Sequence, residues 1–130
     1  MLYRIIIAGS RDFNDIDKLA KSCDSIIGGF TTDDKDAEIV IISGGARGAD
    51  KLAEKYALTK GYKNEIMPAD WNRFGKGAGY IRNAAMAQQA TRRNGIGCLI
   101  AFWDGESKGT KHMIDTANKK KMKVAVVRFR

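Results

Sequence analysis

Ile39 to Asp50, IVIISGGARGAD, passes from four β-branched residues through a serine and two glycines into a helix-forming stretch. A continuous β-branched run fits a strand buried on both faces of a parallel sheet. Gly44, Gly45 and Gly48 remove Cβ atoms where the chain must turn sharply and where another molecule can approach the backbone. The helix that follows offers unpaired N–H groups and a partial positive charge, so a phosphate is the expected occupant. Read for geometry alone, the same glycines describe only a tight turn; Arg47 and Asp50 weight the reading toward a ligand. Two familiar nucleotide motifs are excluded. Lys51 is preceded by Asp50 and followed by Leu52, which is not a P-loop, and the glycine spacing is not the G-x-G-x-x-G of dinucleotide folds.

Outward from this turn, strand and helix patterns alternate. Leu2 to Ala8 (LYRIIIA) reads as a first strand running straight into Gly9-Ser10-Arg11, a second loop able to face a ligand. Ile16, Leu19, Ala20, Cys23 and Ile27 fall at helical spacing, predicting a helix from about Asp15 to Ile27 that stops at Gly28-Gly29. Ala49, Leu52, Ala53, Tyr56 and Ala57 predict a second helix ended by Gly61. Lys63 to Met67 is a weaker strand ended by Pro68. Ala69 to Gly79 (ADWNRFGKGAG) reads as a long loop in which Trp71, Arg73, Phe74 and Lys76 mix aromatic faces with cations, suited either to stacking on a base or to capping the core. Tyr80 to Thr91 predicts a helix with Arg82 and Asn83 in its first turn. Gly97 to Trp103 is the fourth strand, followed by Asp104 and the Gly109-Thr110 turn, and Lys123 to Phe129 is the fifth.

Five strands alternating with about four helices predict an α/β fold: a doubly wound, three-layer, Rossmann-like parallel sheet of order 3-2-1-4-5. That order places a crevice between the first and fourth strands, where Gly9-Ser10-Arg11, the SGGARG turn and Gly109-Thr110 converge. One domain spanning residues 1–130 is expected.

A net charge of +8 favours anionic partners. No stretch reaches the ~18 apolar residues of a membrane span, and Leu2 to Ala8 is too short for a signal peptide, so a cytoplasmic protein without a membrane partner is expected. Cys23 and Cys98 lie in separate elements and read as buried free thiols. His112, the only histidine, has no second histidine or cysteine near it, so neither a metal site nor a resident cofactor is expected. Lys119, Lys120, Lys121 and Lys123 read as a solvated helix end, where cations offset the dipole.

These residues resemble the SLOG superfamily, the Rossmann-like group that includes the DNA-processing protein DprA and the LOG cytokinin-activating phosphoribohydrolases. Ser43-Gly44-Gly45-Ala46-Arg47-Gly48-Ala49-Asp50 is similar to the DprA motif S-G-G-A-R-G-I-D. Arg82-Asn83-Ala84-Ala85-Met86 resembles the LOG motif R-K-x-x-M with Asn in place of Lys, and Gly109-Thr110 resembles the Gly-Thr of P-G-G-x-G-T-x-x-E. The combination of IAGSR, PADW and FWDG with GTKH is similar to a small single-domain branch found in bacteria and phages. The resemblance implies a nucleotide site made by Gly9, Ser10, Arg11, Ser43, Gly44, Gly45, Arg47, Gly48, Asp50, Trp71, Arg82, Asn83, Asp104, Gly109 and Thr110. It also implies a homodimer.

Three functions follow as expectations. The first is binding of a nucleotide-derived small molecule, of the ADP-ribose or nucleoside monophosphate kind, for sensing or sequestration. The second is single-stranded DNA binding of the DprA kind. The third is LOG-type cleavage of base from ribose 5-phosphate, but where LOG enzymes carry the glutamate of their last motif this chain has Met113, and a thioether cannot activate water. Asp50, Asp104, Glu106 and Asp115 are the carboxylates that could substitute, and no catalytic residue is assigned.

Overall fold

In the computed structural model, which describes residues 1–130, Leu2–Gly9 forms β1 at the centre of the sheet. Ile5, Ile6 and Ile7 are each wholly buried because helices cover both faces, which is what an unbroken β-branched run requires. The chain continues through α1 (Ile16–Phe30), β2 (Glu38–Ser43), α2 (Ala49–Lys60), β3 (Lys63–Ile66), α3 (Trp71–Phe74), a 3₁₀ turn (Gly75–Gly77), α4 (Ala78–Ala90), β4 (Ile96–Trp103), α5 (Lys108–Lys119) and β5 (Lys123–Arg128). All strand pairs are parallel and their order is β3-β2-β1-β4-β5, as predicted.

Two hydrophobic layers sandwich the sheet. Leu19, Cys23 and Ile27 of α1 and Ala53, Tyr56 and Ala57 of α2 pack on Ile5, Ile7, Ile41 and Ile100. Met86, Ala87 and Ala90 of α4 and Met113, Ile114 and Ala117 of α5 pack on Ile6, Ala8, Ile42 and Leu99. Alternate residues of β1 thus serve opposite layers, as the strand period of two dictates. Cys23 and Cys98 are buried free thiols, and burial pushes them up to about 12 and about 11. No helix is long and apolar enough to cross a membrane.

Two local expectations are corrected. The first helix does not stop at Gly28-Gly29 but passes through them to Phe30, with Asp15 capping its start and Thr31 its end. Two mid-helix glycines cost roughly 1 kcal/mol each, but Phe30 packs against the core and the Thr31 hydroxyl donates to the Ile27 carbonyl at 2.8 Å. The stretch Ala69 to Gly79 is not a loop. The Asp70 carboxylate accepts the Arg73 N–H at 3.1 Å and starts α3, and the 3₁₀ turn leads directly into α4. The fourth main helix therefore begins at Ala78, which moves Arg82 and Asn83 from its first turn into its second.

Candidate functional site

At the carboxyl ends of β1, β2 and β4 lies a cleft of about 450 Å³, within the usual range for a small-molecule site. The β1 loop supplies Gly9, Ser10 and Arg11, the turn before α2 supplies Arg47, and α2 supplies Asp50. Trp71 of α3, Arg82 and Asn83 of α4, Asp104 after β4, and Gly109 and Thr110 of α5 also line it. The three predicted turns do converge there.

Four residues of that set do not line the cleft: Ser43, Gly44, Gly45 and Gly48. Gly44 was expected to leave room for a ligand. The space a Cβ would take is instead filled by the Arg82 guanidinium and the Asp50 carboxylate. Arg82 Nη1 donates to the Gly44 carbonyl at 2.8 Å, so the glycine admits the chain's own arginine rather than a phosphate. Gly48 has φ of +80°, and the space a Cβ would take there is filled by the Ser10 and Arg11 carbonyls, so the missing side chain lets the β1 loop lie against the start of α2. Ser43 is wholly buried.

The electrostatics are uneven. Arg11, Arg47, Lys76 and Arg82 line the cleft and none of them forms an ion pair. Of the acidic residues there, Asp12 is taken by Arg130. The Asp104 carboxylate is held below its usual range because it accepts the Ser107 and Glu106 N–H groups, each at 2.8 Å. Asp50 is different. It is 5% exposed, and burial pushes its carboxyl up to about 6, against the pull of Arg82 and of the Ala46 N–H that it accepts at 3.2 Å. Burial also lowers the Arg82 guanidinium, which Asp50 opposes; an arginine keeps its charge regardless. No side chain caps the N-terminus of α2, whereas Ser107 caps α5 through Thr110. The Ala49 N–H at that end goes to the Ser10 carbonyl at 3.4 Å, so the partial positive charge of the helix and the unpaired cations are what favour an anion.

The aromatic residues near the cleft are exposed, and its floor is methionine. Trp71 is 49% exposed with the Arg11 guanidinium 5.8 Å from its ring centre, and Phe74 is also exposed, so neither caps the core. Tyr80, which the sequence reading did not single out, stacks on His112 with centroids 4.4 Å apart. The only sequence hint of that pair was the position of each near a site residue. Met86 and Met113 form an apolar floor, Met113 being 1% exposed. Of the four carboxylates that could replace a LOG glutamate, only Asp50 and Asp104 reach the cleft; Asp115 is paired with Lys111 at 2.9 Å. No group of three or more His, Cys, Asp or Glu side chains is placed to hold a metal ion.

A family model described as YAcAr, the YspA, cpYpsA-related SLOG family, matches residues 3–74. The match runs from β1 through α3 and ends before Arg82. The gene 61 protein of Mycobacterium phage D29 is 38% identical over 86 residues, which is 62% of this chain and 65% of the phage protein. The chain therefore spans a little under two thirds of the length of that relative. No solved structure matches.

Proposed function

Because this chain belongs to the YspA, cpYpsA-related SLOG family, we propose that its cleft binds a nucleotide-derived ligand whose phosphate lies against Arg82, Arg47 and the start of α2. The observation that carries the reading is Arg82 itself. It crosses from α4 to the SGGARG turn, is fixed there by the Gly44 carbonyl, and forms no direct salt bridge, although the Asp50 carboxylate sits close enough to favour its charge. A partly buried guanidinium whose neighbouring carboxyl is pushed by burial toward its neutral form favours a further anion. The exposed rings of Trp71 and Tyr80 offer faces to a base, and Asp50 offers an acceptor to a ribose hydroxyl or an amino group.

The output of such a site is sensing or sequestration rather than bond cleavage. Met113 sits on the cleft floor, where a thioether cannot activate water, and the Asp104 carboxylate is spent on backbone N–H groups. Purine nucleoside monophosphates incubated with the protein should release no free base above a protein-free control.

The test is a ligand retained through purification and identified by mass spectrometry, followed by calorimetry with ADP-ribose and with a nucleoside monophosphate. A cleft that comes out empty and binds neither compound at millimolar concentration would end this reading. The exposed Trp71, with Arg11 beside it, favours single-stranded DNA as the second reading, since stacked bases and cations are what a strand requires.

A further inference from the structure

Asn83 lines the cleft, and both of its amide protons and one lone pair of its carbonyl are engaged within the protein. It is 4% exposed. Its carbonyl accepts Arg82 Nε–H at 3.1 Å, one N–H goes to the Gly109 carbonyl at 3.1 Å, and the other meets His112 Nδ1 at 3.2 Å. An arginine only donates and a backbone carbonyl only accepts, so the two outer contacts fix which end of the amide is oxygen. The nitrogen therefore faces His112, and Nδ1 must be the unprotonated nitrogen, with the ring proton on Nε2. Stacking on Tyr80 at an interplanar angle of 24° holds the imidazole in that plane.

We propose that His112, acting through Asn83, positions the Arg82 guanidinium at the cleft, and that protonation of His112 releases it. This rests on the nucleotide-binding reading above for its consequence, though not for its geometry. A proton on Nδ1 would set N–H against N–H, and the amide cannot turn to offer its oxygen without abandoning both Arg82 and Gly109. The repulsion drives the amide out of its place, and any such turn removes the Nε–H contact and leaves Arg82 tethered only to the Gly44 carbonyl. The charged groups around the imidazole are Asp115 and Lys119 of its own helix, while α4 presents to it the Tyr80 ring and the uncharged Asn83 amide. Burial, the largest influence, favours the neutral ring, in keeping with its role as acceptor.

The test has two arms. In the ligand-free protein labelled with ¹⁵N, His112 should show the Nε2–H tautomer at neutral pH, and the Arg82 Nε–H should be protected from exchange until His112 titrates. An Nδ1–H tautomer, or an Arg82 signal indifferent to that titration, overturns the proposal whether or not any nucleotide binds. The second arm uses ADP-ribose, whose diphosphate does not titrate near neutrality. His112→Phe, which keeps a ring against Tyr80 but removes the acceptor, should weaken binding about tenfold. His112→Asn, with an oxygen near the place of Nδ1, should restore binding and remove the loss of affinity that the unaltered protein shows as pH falls below the ordinary histidine value of 6.5. Asp50 titrates in the same range in every variant, so the difference between variants reports His112. His112→Phe binding as tightly as the unaltered protein, with the same pH profile, would refute the positioning role. Absence of ADP-ribose binding at every pH would instead count against the function proposed above, and the first arm would still decide this one.

Discussion

The Arg82 guanidinium occupies the space that a side chain at Gly44 would fill, donating to the Gly44 carbonyl at 2.8 Å across a sequence separation of 38 residues. A glycine-rich turn that looks built for a phosphate is in part built for an arginine, and the arginine in turn presents the charge. Gly44 and Arg82 are therefore one device.

Gly44→Ala should accordingly act on binding. The added methyl would overlap Arg82 and crowd the Asp50 carboxylate, while the Gly44 backbone has no positive φ to strain. Affinity for ADP-ribose should fall by roughly 1 to 3 kcal/mol, as it should in Arg82→Ala and Arg47→Ala. Calorimetry beside circular dichroism tests this: an alanine at position 44 that leaves affinity unchanged would mean that Arg82 is not held where the ligand needs it.

Asp50→Asn should stabilise the fold at neutral pH. A carboxyl raised from 3.8 to about 6 binds its proton more tightly when folded, so its penalty is absent below about pH 3.8, grows through the interval, and is complete above about pH 6. The full penalty is about 3 kcal/mol at most, and the amide can still accept the Ala46 N–H. Urea unfolding across pH 4 to 8 should show the variant gaining on the parent as pH rises. A variant less stable than the parent at pH 7.5 would show that the charged carboxylate is compensated by partners other than Arg82 and Ala46.

Gly48→Ala should be the most damaging of the glycine substitutions in the turn. Its φ of +80° is unfavourable for an L residue, and the methyl would meet the Ser10 and Arg11 carbonyls, which are backbone and cannot swing aside. A loss above about 2 kcal/mol is expected, the strain and the clash adding. Parental stability in chemical denaturation would contradict the packing of the β1 loop on α2.

Salt separates a nucleotide from a nucleic acid. A compact phosphate site should lose affinity only modestly as salt rises, whereas a strand covering several phosphates would give a slope of log K against log salt near −0.7 per phosphate. Binding of single-stranded DNA should be weak at about 150 mM salt and nearly indifferent to Trp71→Ala, because the free cations of the cleft are few. Tight, salt-resistant binding that loses ~1 to 3 kcal/mol in Trp71→Ala would put the strand-binding reading first.

The sequence by itself determined the order of elements, the parallel sheet, and the edge at which the loops meet. Ile5 to Ile7 and Ile39 to Ile42 could only be interior strands, and the periods of Leu19-Cys23 and Ala53-Ala57 could only be helices lying on them. Chain connectivity then forced Gly9, Arg47 and Gly109 to one end, because every parallel strand delivers its carboxyl terminus there. Helix ends were less legible: glycines at 28 and 29 read as a stop, yet Phe30 had core surface still to bury, and Asp70 began a helix that the glycines beyond it concealed. What only the tertiary structure decided is which polar groups are spent and which are left over. Asn83 reads as a ligand contact until Gly109 and His112, 26 and 29 residues away, take its two protons. Gly44 reads as a cradle until Arg82 fills it. Periodicity reports the face a residue presents, a property of its own helix or strand, but a hydrogen bond needs a partner at about 3 Å, and that depends on how α4 and α5 settle on the sheet side by side.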